Sequence, residues 1–189
     1  MRRGPVLGLV PLGPVDPEIL RYLVKALVEF FPLSVRLLPP KPLPMQTYHV
    51  GRDQHHSTKL LEYLLADAQL DAFQVLGVTA ADLYIPIFTF VFGEAQLDGR
   101  AAIISTFRPG GGPDGFQPPR RVFLSRLLKL SLHELGHTFA LGHCRQPDCL
   151  MGFSANLEKL DQKPPALCQY CQILLNDYFD RLNETSNPS

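Results

Sequence analysis

The sequence has no excess of either charge, since 18 Lys and Arg balance 18 Asp and Glu. A chain without net charge has no electrostatic reason to seek nucleic acid or anionic lipid. It also lacks an apolar run of the ~18 residues that would mark a membrane-spanning helix. No internal repeat is visible. The glycines of RPGGGPDGFQPP (108–119) are not followed by Gly-Lys-Ser/Thr, so this is not a phosphate-binding loop. The opening MRRGPVLGLVPLGPVDPE mimics an export signal, with two arginines before an apolar run. Two prolines interrupt that run and no small-residue cleavage site follows, so it reads as a buried strand and a cytoplasmic location is expected. Cysteine is limited to four residues. In a reducing compartment their close pairing points to metal rather than disulfides.

What is present suits a globular protein. The 46% hydrophobic and 19% charged residues, over 189 positions, can build one compact domain. Strands are expected at GPVLGLVPL (4–12), LSVRLLP (33–39), FQVLGVTA (73–80), IFTFVFGEA (87–95) and GRAAIISTF (99–107). In the fourth, Phe88, Phe90 and Phe92 alternate with Ile87, Thr89 and Val91, which puts the phenylalanines on one face. Helices are expected over 16–31, with Asp16 as cap and Pro17 in the first turn, and from Ser57 or Thr58 through Leu70. A long helix is expected from about Val122 to Leu141, and a last one over about 165–183. The proline-rich, polar stretch 39–57 reads as a loop, with His49, His55 and His56 solvated. The alternation predicts an α/β or α+β fold, a mixed twisted sheet of about five strands packed with helices. One domain over 1–189 is expected. Its main lobe would span 1–142 and a small C-terminal lobe 143–189.

The segment HELGHTFALGHC (133–144) carries the chemistry. On a helix, His133 and His137 share a face with Cβ atoms about 5–6 Å apart. Two imidazoles so placed can reach one zinc at about 2.0–2.1 Å. Glu134, one step round the helix, can reach a water on that metal and take its proton. His143 cannot join them on a continued helix. At about 100° per residue it would lie about 280° away from His133, on the wrong side. The chain must leave the helix and turn back, which requires a left-handed residue. Position 140, where glycine would serve, holds Ala140; Gly142 offers a second place for the break. Three histidines leave a fourth coordination position for water. A bare His-Glu-x-x-His also arises by chance; His143 at the extended spacing makes a zinc site the stronger reading.

Cys144 and Cys149 form one close pair, and Cys168 and Cys171 another. Two close pairs joined by a loop fit a closed, structural zinc site of four thiolates. Reduced buried cysteines, and less readily disulfides, are the alternatives.

The motif HELGHTFALGHC, with Cys149, Leu150 and Met151 and then CQYC, resembles the archaemetzincins, zinc metallopeptidases of the metzincin clan. FVFGEA and AAIIST are similar to the family as well. The resemblance implies a catalytic zinc on His133, His137 and His143, with Glu134 as general base. It implies a second zinc on Cys144, Cys149, Cys168 and Cys171. It also assigns Met151 to a turn beneath the metal, although by itself Met151 would read as core. Metzincins also carry an edge strand along the cleft that pairs with extended substrate. IFTFVFGEA is the candidate here, against the plainer reading of an ordinary strand. Departures from the family are Ala140, a Met151 to Cys168 interval one residue short, and Phe153 where some metzincins place a metal-adjacent tyrosine.

The expected function is zinc-dependent hydrolysis of peptide bonds in a peptide or protein substrate, by a monomer with no nucleic-acid or membrane partner. The alternative is a zinc-stabilised peptide binder with impaired chemistry, marked by Ala140. Retention of Glu134 favours the peptidase, because a pure binder has no use for it.

Overall fold

The computed structural model describes residues 5–67 and 70–186. Gly4 of the first expected strand, and positions 68 and 69 of the second expected helix, lie outside the described residues. In chain order the elements are β1 (Val6–Leu12), α1 (Pro17–Leu27), β2 (Ser34–Leu37), β3 (Tyr48–His49), β4 (Gln54–His56), α2 (Ser57–Leu65) and β5 (Gln74–Thr79). They continue with β6 (Leu83–Tyr84), β7 (Gly93–Ala95), β8 (Ala101–Ser105), α3 (Arg120–Thr138), α4 (Leu157–Gln162) and α5 (Gln169–Ser186).

The main sheet runs β2-β1-β5-β8-β7. The first four strands are parallel and β7 is antiparallel to β8, so the mixed five-stranded sheet is present. Every residue of β1 is buried, as expected of a parallel strand covered on both faces. Alternate side chains feed two cores. Leu7, Leu9, Leu76, Val78, Ala102 and Ile104 face α1 and α3, whereas Val10, Leu12, Val75, Ala101 and Ile103 face α2. Asp16 caps α1 by accepting the Glu18 N–H at 2.8 Å, with Pro17 in the first turn. The tail joins the first core: Phe179 of α5 lies 5.0 Å from the Phe139 ring, which in turn lies 5.0 Å from Phe31.

Two expectations need correction. The stretch 87–95 is not one strand; only Gly93–Ala95 joins the sheet. Residues 86–89 form turns and bends, with a single bridge between Val91 and Leu83. Pro86 opens a turn in which Phe88 N–H donates to Ile85 O at 3.0 Å. Side chains then take up the carbonyls: Arg52 reaches Phe88 O at 3.2 Å and Gln54 reaches Thr89 O at 3.0 Å. Arg108, paired with both Asp82 oxygens at 2.8 and 2.7 Å, lies 3.8 Å from the Phe90 ring centre. Phe90 and Phe92 do meet, at 5.2 Å, while Phe88 is left half exposed.

The expected loop 39–57 contains β3 and β4, and β4 pairs with β3 on one side and β6 on the other in a second, small sheet. His55 is therefore buried rather than solvated, bonded through Nδ1 to the Thr47 hydroxyl at 2.7 Å, and burial lowers its pKa. His49 is exposed as expected, and His56 is half-buried. The short α4 was not expected, although Asn156 caps it by accepting the Lys159 N–H at 2.9 Å. It is held to α3 by Lys129, whose Nζ donates to Leu160 O and Asp161 O at 3.0 and 3.1 Å, and by the Arg126–Asp161 ion pair.

The end of α3 resolves the choice between residues 140 and 142. Ala140 has φ +65°, and Gly142 is not in the left-handed region. Leu141 N–H donates to Gly136 O at 3.0 Å and Ala140 N–H to His137 O at 3.1 Å. These are the two bonds of a Schellman turn, with alanine at the position glycine usually fills. Alanine in this conformation costs about 1–2 kcal/mol, and glycine's freedom in the unfolded chain returns about 0.4–1 kcal/mol of that. Ala140→Gly is therefore expected to raise stability by about 0.5–1 kcal/mol, or roughly 1–4 °C in melting temperature. A thermal melt of the metal-loaded pair checks this; a lower melting temperature for the glycine variant would reject strain at Ala140.

Candidate metal centre

The Schellman turn reverses the chain and returns His143 to the face of α3 that carries His133 and His137. The three rings lie 4.7, 4.9 and 5.3 Å apart, centre to centre. One nitrogen from each falls within 4.8 Å of the others. His133 and His137 are aimed from behind by backbone carbonyls. Nδ1–H of His133 donates to Leu150 O at 2.8 Å, and Nδ1–H of His137 to Leu141 O at 2.7 Å. These bonds fix the proton on Nδ1 and turn both Nε2 lone pairs toward one point. The two Nε2 atoms are 3.1 Å apart, close to the about 3.3 Å of two ligands on a tetrahedral zinc with bonds of about 2.0–2.1 Å. Burial lowers the pKa of His133 to about 4 and lowers that of His137 too. Both rings are then neutral at pH 7, the form that binds metal. The donor set fits zinc with a position left open.

Glu134 is buried. Without a metal, burial and then the nearby Glu94 charge raise its carboxyl to about 8. A dication beside it would act in the opposite direction and favour the carboxylate. Glu134 lies against β7 at Gly93, where an added Cβ would fall 2.9 Å from Glu134 Cγ and 2.6 Å from Ile103 O. Only glycine lets strand and carboxylate approach so closely. Glu94 points to the opposite face of the sheet and accepts from the hydroxyls of Ser57 and Thr58 at the start of α2. Met151 is fully buried under the helix; its sulfur would be 2.5 Å from a Cβ at Gly136. The resemblance singled out Met151. Gly93 and Gly136 were overlooked, although a glycine inside a strand or helix pattern is itself a signal of close approach.

A cleft of about 510 Å³ lies over the three histidines and Glu134. One wall is 88–95, ending in the edge strand β7; the other includes Phe153, Ala155, Leu130 and Leu160. Phe153 is exposed, with its ring 5.7 Å from His143.

The four cysteine sulfurs also converge within 4.8 Å of one another. Cys144 and Cys168 are 3.7 Å apart through sulfur, against about 3.8 Å for thiolates on a tetrahedral zinc with bonds of about 2.3 Å. All four are free thiols. Burial pushes the Cys149 and Cys171 thiols up, whereas the Cys171 backbone N–H draws Cys168 down to about 7. This donor set fits a closed site. Among the described residues, these two clusters are the groups of His, Cys, Asp and Glu that could hold a metal. His49, His55 and His56 form none.

The model of peptidase family M54 matches residues 47–177. An archaemetzincin from Methanocaldococcus jannaschii is 37% identical over 167 residues, covering 88% of this chain and 90% of its own. One from Methanopyrus kandleri is 40% identical over 139 residues, 74% and 75% of the two chains. The solved Methanopyrus kandleri archaemetzincin superposes with TM-score 0.83 at 34% identity, covering 94% of this chain and 96% of that one. A structure described as a zinc-dependent peptidase from Methanocorpusculum labreanum gives TM-score 0.79 at 28% identity, with coverage of 90% and 100%. With the family model spanning most of its length and archaemetzincins aligned along nearly all of it, the chain belongs to peptidase family M54 and is a metallopeptidase.

Proposed function

We propose that the chain hydrolyses peptide bonds at the cleft over His133, His137 and His143, with Glu134 as general base. The observation that carries this reading is the convergence of three imidazoles beside a buried carboxylate within one cleft. A zinc ion bound by the imidazoles would supply Lewis acidity and bring the pKa of a water molecule to about 7. Glu134 takes the proton of the attacking water. The Leu141 and Leu150 carbonyls keep His137 and His133 in the ligating tautomer. The unpaired outer edge of β7 offers backbone groups along the cleft, so an extended peptide can be held by its main chain rather than by its sequence.

Cys144, Cys149, Cys168 and Cys171 hold a second, structural zinc in this reading, with no open position for substrate. The chain is read as one domain over 1–189, a cytoplasmic monomer; the shared core of α3, the 149–151 turn and α5 supports the single domain. No described helix is long and apolar enough to cross a membrane. The alternative of a binder without chemistry drew on Ala140. The complete Schellman turn at that residue, with His143 returned to the site, favours the peptidase.

Glu134→Ala is expected to keep its metal and fold while turnover of a mixed peptide library falls by about 10²–10⁴; unchanged turnover would remove Glu134 from the mechanism. Elemental analysis is expected to give two zinc ions per chain. A chelator should remove one early, from the open three-histidine site, and the other slowly. One zinc in total, retained after Cys168→Ser with Cys171→Ser, would defeat the two-ion reading.

A further inference from the structure

One loop, 141–151, serves both clusters. It begins with Leu141, whose carbonyl orients His137, and near its end Leu150 orients His133 in the same way. Between them it carries His143, Cys144 and Cys149. Cys144 directly follows one imidazole, and Cys149 directly precedes the carbonyl that holds another. Its ends are anchored, with Leu141, Leu150 and Met151 buried in the core and Leu150 N–H donating to Ala166 O at 2.9 Å, but its middle has little else to fix it. Residues 142–148 have no helix or strand, and all but Cys144 are exposed. Its two arms meet where Cys144 N–H donates to Met151 O at 3.0 Å. Sulfur accepts the next bonds, from Gln146 N–H to Cys144 Sγ and from Cys168 N–H to Cys149 Sγ, both 3.4 Å. Lys163, beside the Cys144 and Cys149 sulfurs, extends the same scaffold by donating to Gly152 O and Phe153 O. The Phe153 ring packs on His143.

Resting on the two-ion reading above, we propose that the Cys144–Cys149–Cys168–Cys171 cluster positions the catalytic metal site. An ion held by the four thiolates fixes the 141–151 loop and thereby sets the affinity of the three imidazoles for their own ion. The cysteines act through their chain neighbours, His143 beside Cys144 and the Leu150 carbonyl beside Cys149, and touch neither substrate nor catalytic ion. Loss of the sulfur-bound ion then weakens metal binding at the histidine site as well.

Cobalt(II) reports the two sites separately, by intense sulfur charge-transfer absorption for the four thiolates and weak visible bands for the imidazoles. Metal-free, reduced full-length chain is titrated with cobalt, alongside Cys168→Ser with Cys171→Ser and alongside Cys168→His. Cys168→His keeps four ligands, three thiolates and one imidazole. The serine variant is expected to lose the sulfur band and to bind cobalt at the imidazoles about 10–100-fold more weakly, the range typical of losing an outer partner of a metal ligand. Cys168→His is expected to restore that affinity. If circular dichroism shows the double variant unfolded, Cys168→Ser alone is read in the same way. Unchanged imidazole affinity in a folded serine variant would overturn the positioning role while leaving the two-ion reading intact. So would a loss that Cys168→His, with its own site filled, fails to restore. A single ion bound by the wild-type chain would instead refute the reading beneath it.

Discussion

Everything at the centre depends on the chain reversing direction within four residues of His137. A helix can present two imidazoles four residues apart on one face, but it carries the next histidine round to the far side. The Schellman turn at Ala140 removes that obstacle, and its cost is borne locally in one left-handed alanine. The reversal does more than return His143. It brings the Leu141 carbonyl back over His137, and the stretch of loop that follows brings the Leu150 carbonyl beneath His133. The site's orientation is therefore a backbone property, carried by carbonyls that no side-chain substitution deletes.

The two clusters of ligand-type side chains were legible because coordination chemistry restricts both residue type and spacing. His133, His137, His143 and the cysteine pairs could be grouped before any fold was known, and the structure brings each group together. The buried strands were legible for a different reason: Val6–Leu12 and Gln74–Thr79 are short apolar runs between breaking residues. The position of the turn was legible only as a choice between residues 140 and 142. Alanine gives no local sign of a left-handed turn, and only the surrounding bonds place it there. The small sheet of β3, β4 and β6 escaped notice because its strands are two or three residues long, too short for any period to appear. Helix α4 escaped for a similar reason. It is only six residues long, and beyond its Asn156 cap it is held by Lys129 and Arg126, far away in the sequence.

The cleft wall shows how long-range polar bonds can override a local pattern. The alternation over 87–92 is that of a strand, yet its carbonyls are taken by Arg52 and Gln54 and its central ring by Arg108. Asp82 ties this arrangement together, accepting from both Arg108 and Gln54. The wall nearest the histidines is thus braced from the small sheet behind it. The unexpected sheet and the missing strand are two aspects of one arrangement. Glu134 depends on the same wall, since the strand resumes at Gly93, where a side chain would collide with the carboxylate.

The irregular course of 85–92 also bears on how the molecule behaves in a crowd. IFTFVF is six residues of high β-propensity without a charge or a proline, the composition from which steric zippers assemble. Extended along the open border of the main sheet, it would offer a flat apolar template to any neighbouring copy. Folded as it is, the segment has its carbonyls engaged by arginine and glutamine and one ring covered by a guanidinium, and only the three residues of β7 remain as a straight border. The same kink that shapes the cleft wall denies this segment the straight, flat edge that such an assembly requires.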